Sequence, residues 1–207
     1  ISLRSHLDKK SYSSVHIMTL HGCQHGQEKP LALHRITPVL NDLEQLERWK
    51  IYSQGISKKL PACLHFDTGM TRLGFDPEQT AWLIQNKTAY KGLTIRYIMS
   101  HLVSGEIINA SVTAHQLAKF NTLRECFADI PASLANSSGS LLPADYHFQM
   151  NRPGIMLYGI QPSEKQAAKL RRVLEWQARI LQIQRSKAGN CVGYGGTYRL
   201  ARDSIIA

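Results

Sequence analysis

The 207-residue chain is 43% aliphatic and aromatic, enough for a folded core, and no apolar run approaches the ~20 residues that span a bilayer. Lys and Arg number 25 against 15 Asp and Glu, but the basic residues are scattered and no aromatic stripe interleaves them, which disfavours a nucleic-acid surface and suits anionic small molecules. Cys23, Cys63, Cys126 and Cys191 are far apart and form no C-x-x-C, so reduced thiols in the cytoplasm are expected rather than a disulfide scaffold.

The chain opens on a mixed polar stretch at Ile1 without a signal peptide or an initiator Met, as a segment of something longer would. Apolar runs predict strands over 15–20, 34–40, 62–66, 93–99, 132–135 and 149–157. Helices with readable starts lie between them. Asn41 with Glu44 three residues later reads as a capping box, and Asp76-Pro77 reads as an N-cap with proline at the first helical position. Leu117, Phe120, Leu123 and Phe127 form a core stripe on a helix over 110–127. His21 and His25 stand four apart, but Gly22 and Gly26 argue against a helix there, and no metal site is expected. After Pro162-Ser163 the period changes. Leu174, Trp176, Ala178 and Ile180 alternate with Val173, Glu175, Gln177 and Arg179, a strand pattern, and a turn follows at 188–190.

Strand alternating with helix predicts an α/β fold with a parallel sheet, in which ligands sit at the carboxyl ends of the strands. Asp67-Thr68-Gly69-Met70-Thr71-Arg72-Leu73-Gly74-Phe75 occupies such an end. It reads either as a plain turn or as a loop that holds Arg72 as a donor fork for a carboxylate, phosphate or phenolate. Asn136-Ser137-Ser138-Gly139 follows another apolar run and is either turn chemistry or a phosphate cradle. His101 lies at a third strand end, and Arg152-Pro153-Gly154-Ile155 falls in the last predicted strand.

These motifs, with Val192-Gly193-Tyr194-Gly195-Gly196-Thr197-Tyr198, follow one another in an order and spacing that resembles the alanine racemases, from about Ile1 to Ala207. The last two motifs carry most of the resemblance. It implies a partial (β/α)8 TIM barrel, strands 3–8, over residues 1–165, followed by the start of a C-terminal β domain over 166–207. It also implies a pyridoxal 5'-phosphate enzyme that interconverts L- and D-alanine with two bases. Such enzymes supply D-alanine for peptidoglycan as cytoplasmic homodimers that share active sites between subunits.

Residue by residue, the resemblance places Arg152 at the cofactor's ring nitrogen and Ser137, Asn136, Gly154 and Ile155 around its phosphate. Arg72 falls at the phenolic oxygen and substrate carboxylate. His101 falls between Arg152 and the catalytic tyrosine, which is Tyr194, the base for L-alanine. Two departures stand out. The family's K-A-N-A-Y-G type motif, which carries the Schiff-base lysine, does not occur in these residues. His65 stands where many members have a lysine, often carbamylated, that braces the counterpart of Arg72. The competing readings are a broad-specificity racemase or amino-acid decarboxylase of the same fold type, and a non-catalytic pyridoxal-phosphate-binding protein. The tyrosine motif speaks against a decarboxylase, and the segment after the barrel against the single-barrel binding proteins.

Overall fold

Four of the apolar runs become the centre of a parallel sheet, and a fifth extends it. The strands are β1 (Ile17–Thr19), β2 (Ile36–Leu40), β3 (Pro61–His65), β4 (Thr94–Met99) and β5 (Ala132–Ser133). Neighbours in space are neighbours in sequence, β1-β2-β3-β4-β5, and every pairing is parallel. That order is the wall of a barrel. A doubly wound sheet reverses its order at a switch point, and none occurs here. The structure is a computed structural model that describes residues 1–107, 111–163 and 169–207. It divides into two compact units, Ile1–Arg171 and Arg172–Ala207.

In the first unit, helices α1 (Ser2–Lys9), α2 (Glu28–Leu33), α3 (Leu43–Gly55), α4 (Pro77–Gln85) and α5 (Ser111–Cys126) connect the strands. One sheet face packs Leu40, Leu64 and Ile98 against helix residues such as Trp49, Leu83 and Phe120. Burying side chains of this size contributes roughly 1.5–3 kcal/mol each. The alternate strand positions Val39, Cys63 and Met99 point to the other face and form a smaller cluster with Met18, Tyr97 and Met150. Two-sided burial is what a barrel wall requires, and it explains why β2 is buried along its whole length. Among the described residues no helix is long and apolar enough to cross a membrane.

Asp76 caps α4 as expected, accepting from the Gln79 amide at 2.8 Å. The cap of α3 is Asp42, not Asn41: the Asp42 carboxylate accepts from the Gln45 amide at 2.7 Å. Asn41 is spent elsewhere, as described below. The predicted sixth strand over 149–157 does not form. Its start runs beside β5, with the Gln149 amide donating to the Ala132 carbonyl (3.1 Å) and the Arg152 amide to that of Ala135 (2.9 Å). Pro153 then removes a ladder donor, and Ile155–Tyr158 closes into a 3₁₀ turn.

In the second unit β6 (Gln184–Ser186) pairs antiparallel with β9 (Ser204–Ile206), and β7 (Cys191–Val192) with β8 (Tyr198–Arg199). The expected turn at 188–190 lies between β6 and β7. The alternating segment 173–180 is not a strand. Alternation makes a segment competent to pair, but a strand also needs a partner for its N–H and C=O groups, and none pairs with it among the described residues.

Candidate active site

Because the strands are parallel, the residues that follow β3, β4 and β5 gather at one edge of the sheet. His65 ends β3. The loop after it closes on itself: the Phe75 amide donates to the His65 carbonyl (2.7 Å) and the Asp67 amide to that of Phe75 (3.0 Å). Inside the loop the Asp67 carboxylate accepts from the amides of Gly69, Met70 and Thr71 at 2.8–3.1 Å. Gly74 adopts φ +110°, and a Cβ there would lie 2.9 Å from the Asp67 nitrogen, so only glycine fits this return. Phe66 and Phe75 pack ring to ring at 5.4 Å beneath it. Asp67 therefore works as the loop's anchor, and Arg72 is carried on it, exposed.

Arg152 is half-buried at the same edge. Its guanidinium donates to the Ser133 hydroxyl and to the carbonyls of Ser100 (2.5 Å) and Leu134 (3.3 Å). Among the described residues neither Arg152 nor Arg72 has a carboxylate within ion-pair distance. His101 follows β4; the Asn136 amide lies 3.5 Å from its Nε2 and donates to the Leu102 carbonyl at 3.1 Å. Asn136 Oδ1 accepts from the Gly139 amide at 2.9 Å. Ser137 is buried, and its hydroxyl oxygen accepts from the Gly154 amide at 2.7 Å. Among the described residues the Ser137 O–H has no acceptor, so it can donate to an oxyanion. Ile155 opens the 3₁₀ turn beside Gly154.

The electrostatics follow from this unneutralised charge. Burial first, then the Arg152 guanidinium, hold both His65 and His101 down to about 4. Burial likewise lowers Arg152, to about 10. Both imidazoles are therefore neutral at pH 7 while Arg152 keeps its charge. His65 is held by a hydrogen bond between its Nδ1 and Asn41 Oδ1 at 2.7 Å. Asn41 Nδ2 in turn donates to the carbonyls of Leu20 (3.1 Å) and Val39 (2.9 Å).

A pH dependence follows. A histidine whose folded value lies below its ordinary 6.5 contributes stability above 6.5, and that contribution is lost as pH falls toward 4. The midpoint of urea unfolding is expected to drop steadily between pH 6.5 and 4, and His65→Asn is expected to make that slope shallower. A midpoint flat across the window would contradict the burial of neutral imidazoles here.

Sequence reasoning missed the supports beneath the edge. Gln116 on α5 is fully buried; its Nε2 donates to the His101 carbonyl (2.9 Å) and its Oε1 accepts from the Val103 amide (2.9 Å). The Thr68 and Ser100 hydroxyls bond at 2.7 Å beside it. Gln116 falls four residues before Phe120, in the buried register, and that was the available signal. Of the expected site residues, His101, Asn136, Ser137, Arg152, Gly154 and Ile155 gather around one edge, and the Arg72 loop springs from it. Tyr194 belongs to the second unit, in a 3₁₀ turn, Tyr194–Gly196, between β7 and β8, with its side chain fully exposed.

Residues 5–162 match the family described as alanine racemase, N-terminal domain. The chain belongs to the alanine racemase family. It is 41% identical over 195 residues to an alanine racemase of Brucella abortus, covering 88% of this chain and 49% of that protein. An alanine racemase of Rickettsia peacockii is 38% identical over 193 residues, covering 93% and 53%. A solved alanine racemase from Bartonella henselae, with covalently bound pyridoxal phosphate, superposes with a TM-score of 0.82 at 36% identity over 98% of this chain and 57% of that one. The chain thus spans about half the length of these alanine racemases, and its parallel sheet is the barrel wall that the motifs implied.

Proposed function

We propose that these residues form the cofactor-holding part of an alanine racemase: a partial barrel over 1–165 whose wall includes the five parallel strands β1 to β5, followed by the first strands of the C-terminal β domain over 166–207. The observation that carries this reading is a strand-end edge with two arginines, two neutral histidines and no neutralising carboxylate on either arginine among the described residues. Such an edge suits a dianionic, aromatic cofactor, and the family relationship makes pyridoxal 5'-phosphate the candidate. The residues fit it. Ser137 offers an O–H whose oxygen is already fixed by the Gly154 amide, and Gly154 and Ile155 bring main chain close by. Asn136 keeps the Ser137 loop in register through its bonds to Leu102 and Gly139.

When bound, pyridoxal phosphate supplies an electron sink that makes an amino acid's α-proton removable. Arg152 is a donor that stays charged near neutrality, so facing the cofactor's ring nitrogen it would keep that nitrogen unprotonated. Arg72, on its anchored loop, would offer a donor fork to the cofactor's phenolic oxygen and to the substrate carboxylate. His101 stands beside Arg152 as a neutral relay toward Tyr194. Tyr194, supplied by the β domain of the other subunit of a homodimer, removes the α-proton of L-alanine. The second base is the family's lysine, which these 207 residues do not include. Alanine is the substrate, D-alanine for peptidoglycan the product, and the cytoplasm the compartment. The exposed tyrosine in the β-strand unit favours this reading over a decarboxylase or a single-barrel binding protein.

The test is cofactor uptake. Apoprotein of the complete enzyme is titrated with pyridoxal phosphate and followed by absorbance. Ser137→Ala is expected to weaken uptake about tenfold, the worth of one hydrogen bond to a charged group. Uptake unchanged in that variant would remove Ser137 from the cradle.

A further inference from the structure

We propose a second anion site at the opposite edge of the sheet, specific for a small dianion such as a phosphate group. The residues that begin β2 and β3 and the first half of β4 line a cavity of about 270 Å³ with the segment before β1. Its basic lining is Arg4, Arg35, Lys58 and Arg96, with the His16 imidazole beside them, and among the described residues no carboxylate lines it. Ser13 and Ser14 add hydroxyls, while Ile36, Leu60 and Trp49 supply an apolar floor. The volume is near the lower end for ligand pockets, so a small oxyanion fits better than a nucleotide.

The basic residues divide into two sets. Arg4, only 3% exposed, builds the wall: its guanidinium donates to the carbonyls of Val15 (2.6 Å), His34 (3.2 Å) and Ser13 (3.4 Å), with Asp8 at 3.7 Å. Arg35 shares Asp8 at 2.9 Å and is held at φ +54°, a left-handed backbone unusual for arginine. Strained backbone of this kind persists where surroundings over-determine it, and it concentrates at binding sites. Lys58 and Arg96 have no carboxylate within ion-pair distance among the described residues. Asp8 is thus shared between two arginines, and Lys58 and Arg96 remain to meet a ligand. The active edge lies at the carboxyl ends of these same strands, so the two sites are separated by the length of the sheet. In barrels the amino-terminal edge serves stability rather than chemistry. A dianion here would tie the starts of β2, β3 and β4 together.

The test uses the complete enzyme already loaded with pyridoxal phosphate, so that the cofactor cradle is filled. Inorganic phosphate is titrated and its ³¹P line width followed. Wild type is expected to broaden the line saturably. The double variant Lys58→Gln with Arg96→Gln is expected to weaken binding at least about tenfold, from two lost charge-assisted contacts. A charge-matched control, Lys91→Gln with Lys119→Gln, is expected to leave it unchanged. Thermal unfolding confirms that both variants fold. Absence of saturable broadening by wild type, or equal weakening in the two double variants, would overturn the proposal.

Discussion

In the complete enzyme, Tyr194→Phe is expected to slow removal of the α-proton from L-alanine by about 10²–10⁴-fold, the usual contribution of a general base, and to leave D-alanine far less affected. The argument is stereochemical. Each enantiomer presents its proton to one face of a planar cofactor, and racemisation needs a base on each face. Deleting the Tyr194 hydroxyl removes one base and spares the other. A phenol near its ordinary value of about 10 is a poor base at neutral pH, so it needs cationic neighbours. Arg152 and Arg72 are arginines without carboxylate partners among the described residues, and under the proposed function they are the cations that a tyrosine supplied to this edge would meet. Solvent-deuterium exchange, measured for each enantiomer before equilibration, separates the half-reactions. Collapse of exchange from D-alanine with L-alanine spared would reverse the face assignment, and no change in either would remove Tyr194 from catalysis.

Arg152→Ala is expected to cost the protein about 2–5 kcal/mol of unfolding free energy, because each buried acceptor left without a donor costs roughly 1–3 kcal/mol. The Ser100 and Leu134 carbonyls and the Ser133 hydroxyl all receive this one guanidinium. The segment that carries Arg152 is not a strand, so this fork does much of the work of fastening it to β4 and β5. Arg152→Lys is expected to restore only part of the loss, since an ammonium is a point donor and not a planar fork. Urea unfolding reads both values. An alanine variant as stable as wild type would mean that Ser100 and Leu134 find water instead.

The sheet was legible because its strands are short apolar runs bounded by polar turns, and burial on both faces leaves no other use for them. The segment 149–157 misled for the same reason. Met150, Ile155, Met156 and Leu157 look like strand residues, yet Pro153 stops the ladder in their midst. The alternation over 173–180 shows that pattern gives competence to pair and no partner. Asn41 was read as a cap from a local rule, whereas its amide is used across the sheet, on His65 and Leu20, at a distance in sequence that no local rule reaches. Gln116 is not legible in the chain because a polar residue on a helix usually faces water, whereas this one is buried. The strand-end positions of His101 and Ser137 were readable from the chain. The pairing of Ser137 with Gly154, and the want of a carboxylate beside Arg152 among the described residues, needed the folded geometry.

The central claim is that this barrel edge supports alanine racemisation through pyridoxal phosphate. Its most direct test is the circular-dichroism time course of L-alanine, and separately of D-alanine, with the purified complete enzyme after cofactor removal and after reloading. The account predicts that both enantiomers converge on the racemate, only in the reloaded enzyme and without release of carbon dioxide. Carbon dioxide evolution, or full cofactor loading with no change in ellipticity from either side, would contradict it.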